Sequence, residues 1–573
     1  MTTTSSASPQ SFWPAHGLGA IFDFAAKSHA RAIVLLFVVS LALFLSGFFR
    51  IPPVDRDEAY FAQATKQMIE TGDYVDIRYQ DDVRYRKPVG IYWLQAAVVN
   101  TASTLGFPDA RDTIWLYRVP SLIGALGSVL ATYWTALAFI SRRGAVLAAL
   151  MMATSLLLGV EARLAKTDAV LLFTVLGAMG ALARAYLSQF RNDPRMHGWW
   201  IAGIFWTAIA VGILIKGPLI LMVVGLAAVT VSIIDRSARW FLALHPLVGL
   251  AWFALVVSPW FIAIFMRAGT QFLVDAVGHD LLGKIAHGQE THGAPPGLYL
   301  ILFFATFFPG SVLSGLAAPA VWSVRREPGA RFLLSWLLPS WIIFELVITK
   351  LPHYVLPLYP AIAILIAGAV ESNVLSRQRW LVRGAIWWFI TPILISIAAI
   401  VLAIIIDHDL ALLAWPFFTG AIVCGLFAWQ LYEDDGVEQT YARATAAAIL
   451  MAFGCFSVVV PSLTPLFPSV ELARVLHEAN CEHPVAASVG YAEPSLVFLG
   501  GTATRFTDAV GAADFLRQGS CRFAFVDSRQ ERAFALRAEA VGLRYDRGPR
   551  IEAFNFSVGQ SLTIAVFASA GAP

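Results

Sequence analysis

The 573-residue chain is predicted to be an α-helical polytopic membrane protein, with about thirteen transmembrane helices over residues 1–464 and a soluble α/β domain over 465–573. Three observations lead there. Hydrophobic side chains make up 58% of the sequence against 14% charged, and the mean hydropathy is +0.67, far more apolar than a soluble globular protein. Apolar windows long enough to span a bilayer recur near residues 41, 129, 152, 177, 207, 226, 255, 310, 340, 363, 394, 421 and 451. Past residue 465, short apolar stretches (PVAASVGY, SLVFLG, RFAFVDS, SLTIAVFAS) alternate with amphipathic segments such as VELARVLHEAN, the pattern of an α/β unit.

The first apolar run, after Arg31, is as long as a span requires and lacks a small-residue cleavage site, so it is expected to be a retained helix. Alternate loops carry Lys27 and Arg31, Arg142 and Arg143, Arg191 and Arg195, Arg236 and Arg239, Arg325, Arg326 and Arg331, then Arg377, Arg379 and Arg383. Basic residues in short loops stay in the cytoplasm, so the N-terminus is expected there. An odd number of spans then puts the C-terminal domain on the other side. In an oxidising compartment its Cys481 and Cys521 could pair, whereas Cys424 and Cys455 fall within spans and are expected to pack.

The first outer loop, 50–90, opens with VDRDEAYF. Asp57 and Glu58 would occupy the first turn of a helix with Phe61, Ala64, Met68 and Ile69 on one face, so a capped amphipathic helix lying on the membrane accounts for much of the pattern. With Asp55, however, three acids in four residues exceed what capping needs. The same loop later brings Arg84, Arg86 and Lys87 together, a cluster suited to phosphate through charge-assisted hydrogen bonds or to anionic lipid in general.

Further ionisable groups stand at helix ends on that side, where they are costly unless they face a cavity or headgroup: Arg163, Lys166, Asp168, Lys216, Lys350 and His353. An internal ion pair would explain Lys166 and Asp168, and snorkelling would explain Lys216. Arg118 is expected to be structural, and Glu345, alone in an apolar helix, to face the bundle. The long loop 267–296 contains His279, Asp280, Lys284, His287, Glu290 and His292. His287, Glu290 and His292 are weak zinc candidates; a flexible lid ending in GAPP is the favoured reading.

The succession DEAYFAQATKQMIETGDY, YRKPVGIYWLQA, YRVPSLIGAL, EARLAKTDAVLLF, LIKGPLI, SPWF and KLPHYVLPLYPAIAIL resembles the integral-membrane glycosyltransferases of the GT-C fold. It is most similar to the bacterial 4-amino-4-deoxy-L-arabinose lipid A transferases and the protein O-mannosyltransferase group, over about residues 50–370. The resemblance implies an inverting transfer from an undecaprenyl-phosphate-linked sugar, on the periplasmic side of the bacterial inner membrane. It places the catalytic acidic pair on Asp57 and Glu58, with Asp57 the catalytic carboxylate, and donor-phosphate ligands on Lys87, Lys284 and Tyr354. Lys350 falls in the Lys-Leu-Pro-x-Tyr signature, Arg84 and Arg86 flank Lys87, and Asp55, Arg163, Asp168 and His353 are supporting candidates. Two positions depart from the pattern: Arg86 stands where an acid often precedes Lys-Pro, and Gln63 replaces an acid.

The implied partners are the lipid-linked donor, lipid A or another periplasmic acceptor, and membrane lipid, with no nucleic acid. No cofactor is required, and a divalent metal remains an option. A neutral sugar passed to a protein or glycan is the alternative transfer. A lipid-linked sugar transporter is the non-enzyme alternative, but it would show internal repeats and midplane polar groups, and the unusual residues here cluster at the outer helix ends.

Overall fold

The computed structural model describes residues 19–191, 193, 198–274, 293–479, 481–555 and 557–570. Among these, nine helices are long and apolar enough to cross a bilayer, and ten if a bent pair counts as one span. The expected window centres all fall in or beside helices, but four windows are not single long helices. His29–Phe44 and Leu219–Asp235 are shorter apolar helices. The window near residue 152 divides at Ser155, which leaves helical geometry (ψ 121°) and donates its hydroxyl to Thr306 O, giving Arg142–Thr154 and Leu156–Glu161. The window near 310 is Leu298–Thr306 followed by Ser311–Ser323, bent by 119° at Phe-Phe-Pro-Gly, where proline removes a donor and clashes with the preceding turn.

The helix Asp168–Leu187 forms the centre of the bundle and is buried nearly all round, whereas Pro246–Ala268 and Arg379–Asp407 present most of their surface outward, as lipid-facing helices do. Against the central helix lies Ile114–Ala136. Their backbones meet at Gly124, where a Cβ would stand 2.7 Å from Val170 N. Glu345 turns inward and accepts the N–H groups of Gly297 and Leu300, two otherwise orphaned donors at the start of Leu298–Thr306.

The C-terminal unit carries a five-stranded sheet in the order Arg505–Phe506, Val485–Val489, Arg522–Asp527, Gln560–Ser569, Tyr545–Asn555. The first three strands are parallel and the last two pairings antiparallel. Side chains alternate across it: Ala486, Phe523, Phe525 and Ile564 pack with Leu472 and Leu496 on one face, and Val489, Ala524, Val526 and Phe567 pack with Leu516 and Phe534 on the other. Cys481 and Cys521 form a disulfide.

This unit sits on the first loop and therefore shares its membrane face. The helix Asp57–Thr71, ended by Gly72 in a left-handed conformation (φ 70°), does not simply lie on the bilayer. It is buried on both sides, because Gln63 donates to Thr502 Oγ1 (2.8 Å), Lys66 to Phe498 O (2.8 Å), and Thr502 in turn to Glu70 (2.8 Å). Thr65 on the same helix reaches Gln95 in the bundle (2.7 Å).

Gly124→Ala should force the two central helices apart and cost about 1–3 kcal/mol, the usual penalty of overpacking. A clear fall in the thermal midpoint of detergent-solubilised protein is the expected result.

Candidate active site

A hollow of about 580 Å³ opens between the first loop, the outer ends of the bundle and the C-terminal domain. The first loop, the bundle and the C-terminal domain all supply its walls. Val54 to Glu58, Tyr60, Phe61, Arg84, Arg86 and Lys87 come from the first loop; Lys166 and Asp168 stand at the start of the central helix; Lys216 ends Trp199–Lys216; Thr349, Leu351, His353 and Tyr354 lie where Pro352–Glu371 opens; and Glu493 and Ser557 come from the C-terminal domain. Asp57 and Lys87, expected to act together, face this one space.

Asp57 begins its helix with an exposed side chain that forms no hydrogen bond or ion pair among the described residues. It lies near enough to Lys166 to favour that group's charged form. The preceding Arg56 adopts φ 67°, ψ −121°, a sparsely populated backbone state of the kind that collects at functional sites. Its guanidinium donates to Ser557 O in the C-terminal domain, so the strained turn is held from above.

Glu58, expected to share catalysis with Asp57, borders the hollow but its carboxylate is committed to partners within the protein. It is buried, and its carboxylate accepts Arg118 Nε (2.7 Å) and Nη2 (2.9 Å), Val54 N (2.9 Å) and Ala165 N (2.8 Å). Arg118 also donates to the carbonyls of Phe48, Ile51 and Pro52. Four donors on two oxygens fill the acceptor capacity of Glu58 and fix its place in the fold.

Two further expectations are corrected. Arg163 is buried away from the hollow, donating to Ser46 O, Gly159 O and Leu43 O beside a separate, nearly apolar cavity of about 260 Å³. Lys350 turns back onto Glu345 O (2.8 Å) and Val347 O (2.6 Å), closing the end of Pro328–Leu346, because a lysine just past a helix C-terminus finds unpaired carbonyls there. Neither lines the hollow.

The membrane side of the hollow holds a charge network. Lys216 pairs with Asp168, and Lys166 lies 3.2 Å from Glu161 and 3.9 Å from Asp168. His353 sits between the two acids, at 3.6 Å from Glu161 and 3.7 Å from Asp168. Glu161, Asp168 and His353 offer ligand atoms within 4.8 Å of one another, which could receive a cation only by displacing the lysine ammonium groups. Across the hollow Lys87 and Arg86 stand on the first loop, Arg84 lies over the Tyr60 ring (4.2 Å), and Tyr354 has Lys216 5.8 Å from its ring centre. Lys284, His287, Glu290 and His292, with His279 and Asp280, lie outside the described residues.

Asp55 faces the C-terminal domain, accepting Ser495 N (3.0 Å) and Tyr491 Oη (3.3 Å). Burial lifts its carboxyl from the ordinary 3.8 to about 7, and the nearby charge of Glu493 adds to the effect. Glu493 and Ser557 also line the hollow, and Glu493, like Asp55, is pushed above its ordinary value by burial. The sequence reading did not single out Glu161, Glu493 or Ser557. An acid at the end of an apolar window was a signal for Glu161. Glu493 and Ser557 reach the site only through docking of a domain more than four hundred residues along the chain.

Residues 86–262 match the family model of dolichyl-phosphate-mannose-protein mannosyltransferases. A curated relative from Pectobacterium carotovorum, an undecaprenyl phosphate-alpha-4-amino-4-deoxy-L-arabinose arabinosyl transferase, is 27% identical over 67% of this chain and 66% of its own length. A relative of the same name from Pseudomonas aeruginosa is 28% identical over 60% of this chain and 62% of its own. The matched stretch thus spans slightly less than two thirds of these relatives. Among solved structures, ArnT from Cupriavidus metallidurans in the apo state superposes with a TM-score of 0.72 at 18% identity, covering 94% of this chain and 98% of that one. The same protein bound to undecaprenyl phosphate gives 0.69 at 18% identity, covering 93% and 97%. The chain is a multi-pass membrane protein with the GT-C fold.

Glu58→Gln should cost about 3–5 kcal/mol by leaving Arg118 buried without its counter-charge. Thermal denaturation in detergent reads this, and a variant as stable as wild type would remove Glu58 from its structural role. Asp55 carries a pH dependence of the opposite sense to an ordinary carboxylate. The folded state holds its proton more tightly than the unfolded chain, so its stabilising contribution is full below pH 3.8 and is lost as the pH rises through about 7. Asp55→Asn mimics the protonated form. Its thermal midpoint should gain on wild type as the pH rises from about 4 to about 7, and parallel curves would contradict this account.

Proposed function

We propose that this chain is an inverting glycosyltransferase that moves 4-amino-4-deoxy-L-arabinose from undecaprenyl phosphate to a phosphate of lipid A, at the periplasmic face of the bacterial inner membrane. The observation that carries the proposal is Asp57 and Lys87 lining one hollow at the outer end of an apolar bundle. Both substrates are amphiphiles whose tails remain in lipid, so headgroups alone need to reach the site, and the bilayer orients them beforehand. The names of the similar transferases support the choice of donor sugar, and the ArnT structure bound to undecaprenyl phosphate supports the choice of carrier lipid.

In the transfer the anomeric C–O bond to the carrier phosphate breaks as an acceptor oxygen attacks from the opposite side. The bonding pair leaves with undecaprenyl phosphate. Lys87, Arg84, Arg86 and Tyr354 supply charge and hydrogen bonds to that phosphate as negative charge builds on it, the largest single contribution preorganised groups commonly make. Asp57 orients the acceptor and stabilises positive charge on the sugar ring. A phosphate acceptor is already ionised near neutral pH and needs no base, whereas a hydroxyl acceptor would give its proton to Asp57. The step transfers a group between oxygens and needs no redox cofactor. Lys166 and Lys216 keep Asp168 and Glu161 neutralised beside the donor.

The match to mannosyltransferases favours a second reading, in which a neutral sugar passes to a protein hydroxyl. Purified protein incubated with undecaprenyl-phosphate aminoarabinose and lipid A, and in parallel with an undecaprenyl-phosphate neutral sugar and an acceptor protein, separates the two. Mass spectrometry should show aminoarabinose on lipid A, and Asp57→Asn should lower the rate by a factor of about 10²–10³. Lys87→Ala should lower it by about 10²–10³, with weaker donor binding. Transfer to a protein acceptor alone would favour the second reading.

A further inference from the structure

We propose that Glu493, brought into the hollow by the C-terminal domain, is the carboxylate that recognises a positively charged amino group on the transferred sugar, and so selects an amino sugar over its neutral counterpart. The inference rests on the donor reading above and assigns the part of the chain that enforces it.

The assignment follows from where each acid of the site is committed. Glu58 is saturated by Arg118 and two backbone N–H groups. Asp168 is held by Lys216, and Glu161 by Lys166. Asp55 is turned into the domain interface, where Ser495 N and Tyr491 Oη take its two oxygens. Asp57 begins its helix near Lys166, at the reacting centre. Glu493 differs from all of these. It is only 8% exposed, it lines the hollow, and its hydrogen-bond partners, Ser557 Oγ at 2.9 Å and the Asn555 side chain, are neutral. Arg56 acts on it through space, while that guanidinium donates to Ser557 O. Among the described residues no Lys or Arg closes an ion pair with it.

A carboxylate taken out of water and held in place by neutral donors gains from a cation that enters the hollow. Its surroundings differ from those of Lys87. Glu493 stands with Asp55, Arg56 and Ser557, whereas Pro88, next to Lys87, packs toward Gly217 beside Lys216. A sugar whose phosphate is gripped at Lys87 extends across the hollow, and an ammonium on it can meet Glu493 as a charge-assisted hydrogen bond. A hydroxyl in its place offers a neutral one.

The test uses full-length purified protein and two donors, undecaprenyl-phosphate 4-amino-4-deoxy-L-arabinose and its L-arabinose analogue with a hydroxyl at the same carbon. Wild type should prefer the amino donor in kcat/KM by about tenfold to a hundredfold, the range of a hydrogen bond to a charged group. Glu493→Gln should collapse that preference toward unity through a fall on the amino donor, and Glu493→Asp should restore part of it. Equal losses on both donors, which keep the ratio, would make Glu493 structural and overturn the proposal. Should Glu493→Gln fail to fold, Glu493→Asp carries the comparison: a fall in the amino-over-hydroxyl preference below that of wild type supports the proposal, and an unchanged ratio overturns it. Wild type that uses both donors equally overturns this inference alone. Wild type that uses neither overturns the proposed function together with it.

Discussion

The buried pair between Glu58 and Arg118 is the contact on which the geometry of the outer face depends. Arg118 stands in the helix that packs along the centre of the bundle, and Glu58 belongs to the first turn of the loop helix. The guanidinium also gathers the carbonyls of Phe48, Ile51 and Pro52, so the chain leaving the first helix and the helix that follows are fixed to one rigid point. A carboxylate with no exposure is tolerable only when every lone pair is answered, and here all are. The consequence is local: Asp57, one residue earlier, is directed into the hollow because Glu58 is directed into the protein.

The hollow is a place where charge is kept at the edge of lipid. On its membrane side each acid is matched by a lysine, and His353 bridges the two acids. Matched charges can stay ionised beside hydrocarbon without drawing in a counter-ion from solution. Arg84, Arg86 and Lys87 bring further positive charge to the hollow from the first loop.

Much of this was legible from residues alone, and the failures have physical causes. Apolar windows marked the bundle because length and hydropathy report directly on the bilayer, yet Ser155 and Pro309 break two of those windows without lowering their hydropathy. The basic cluster and Asp57 stood out because such groups are scarce beside hydrocarbon. Glu58 looked identical to Asp57 in sequence, since spacing along one helical turn cannot tell which of two adjacent acids meets an arginine sixty residues away. Arg163 and Lys350 were conspicuous for the same scarcity, but a cation near a helix end is equally well served by main-chain carbonyls, and both took that course. Glu161 was passed over although it carries the same scarcity signal as Asp168. Glu493 carried no signal at all, because its role arises from docking rather than from its neighbours in sequence.

That docking also shows what the C-terminal domain contributes to the first loop. The first loop alone would leave Arg56 in an unfavourable backbone state, and the polar side of the helix Asp57–Thr71 would be open to water. The C-terminal domain supplies Ser557 O to Arg56, Thr502 to Gln63 and Glu70, and the carbonyl of Phe498 to Lys66, so the polar side of the loop helix becomes an interface. Water excluded there strengthens each remaining electrostatic contact in the hollow beneath. The roof is thus part of the site's dielectric as well as its shape, and burial beneath it pushes the Asp55 carboxyl above its ordinary value.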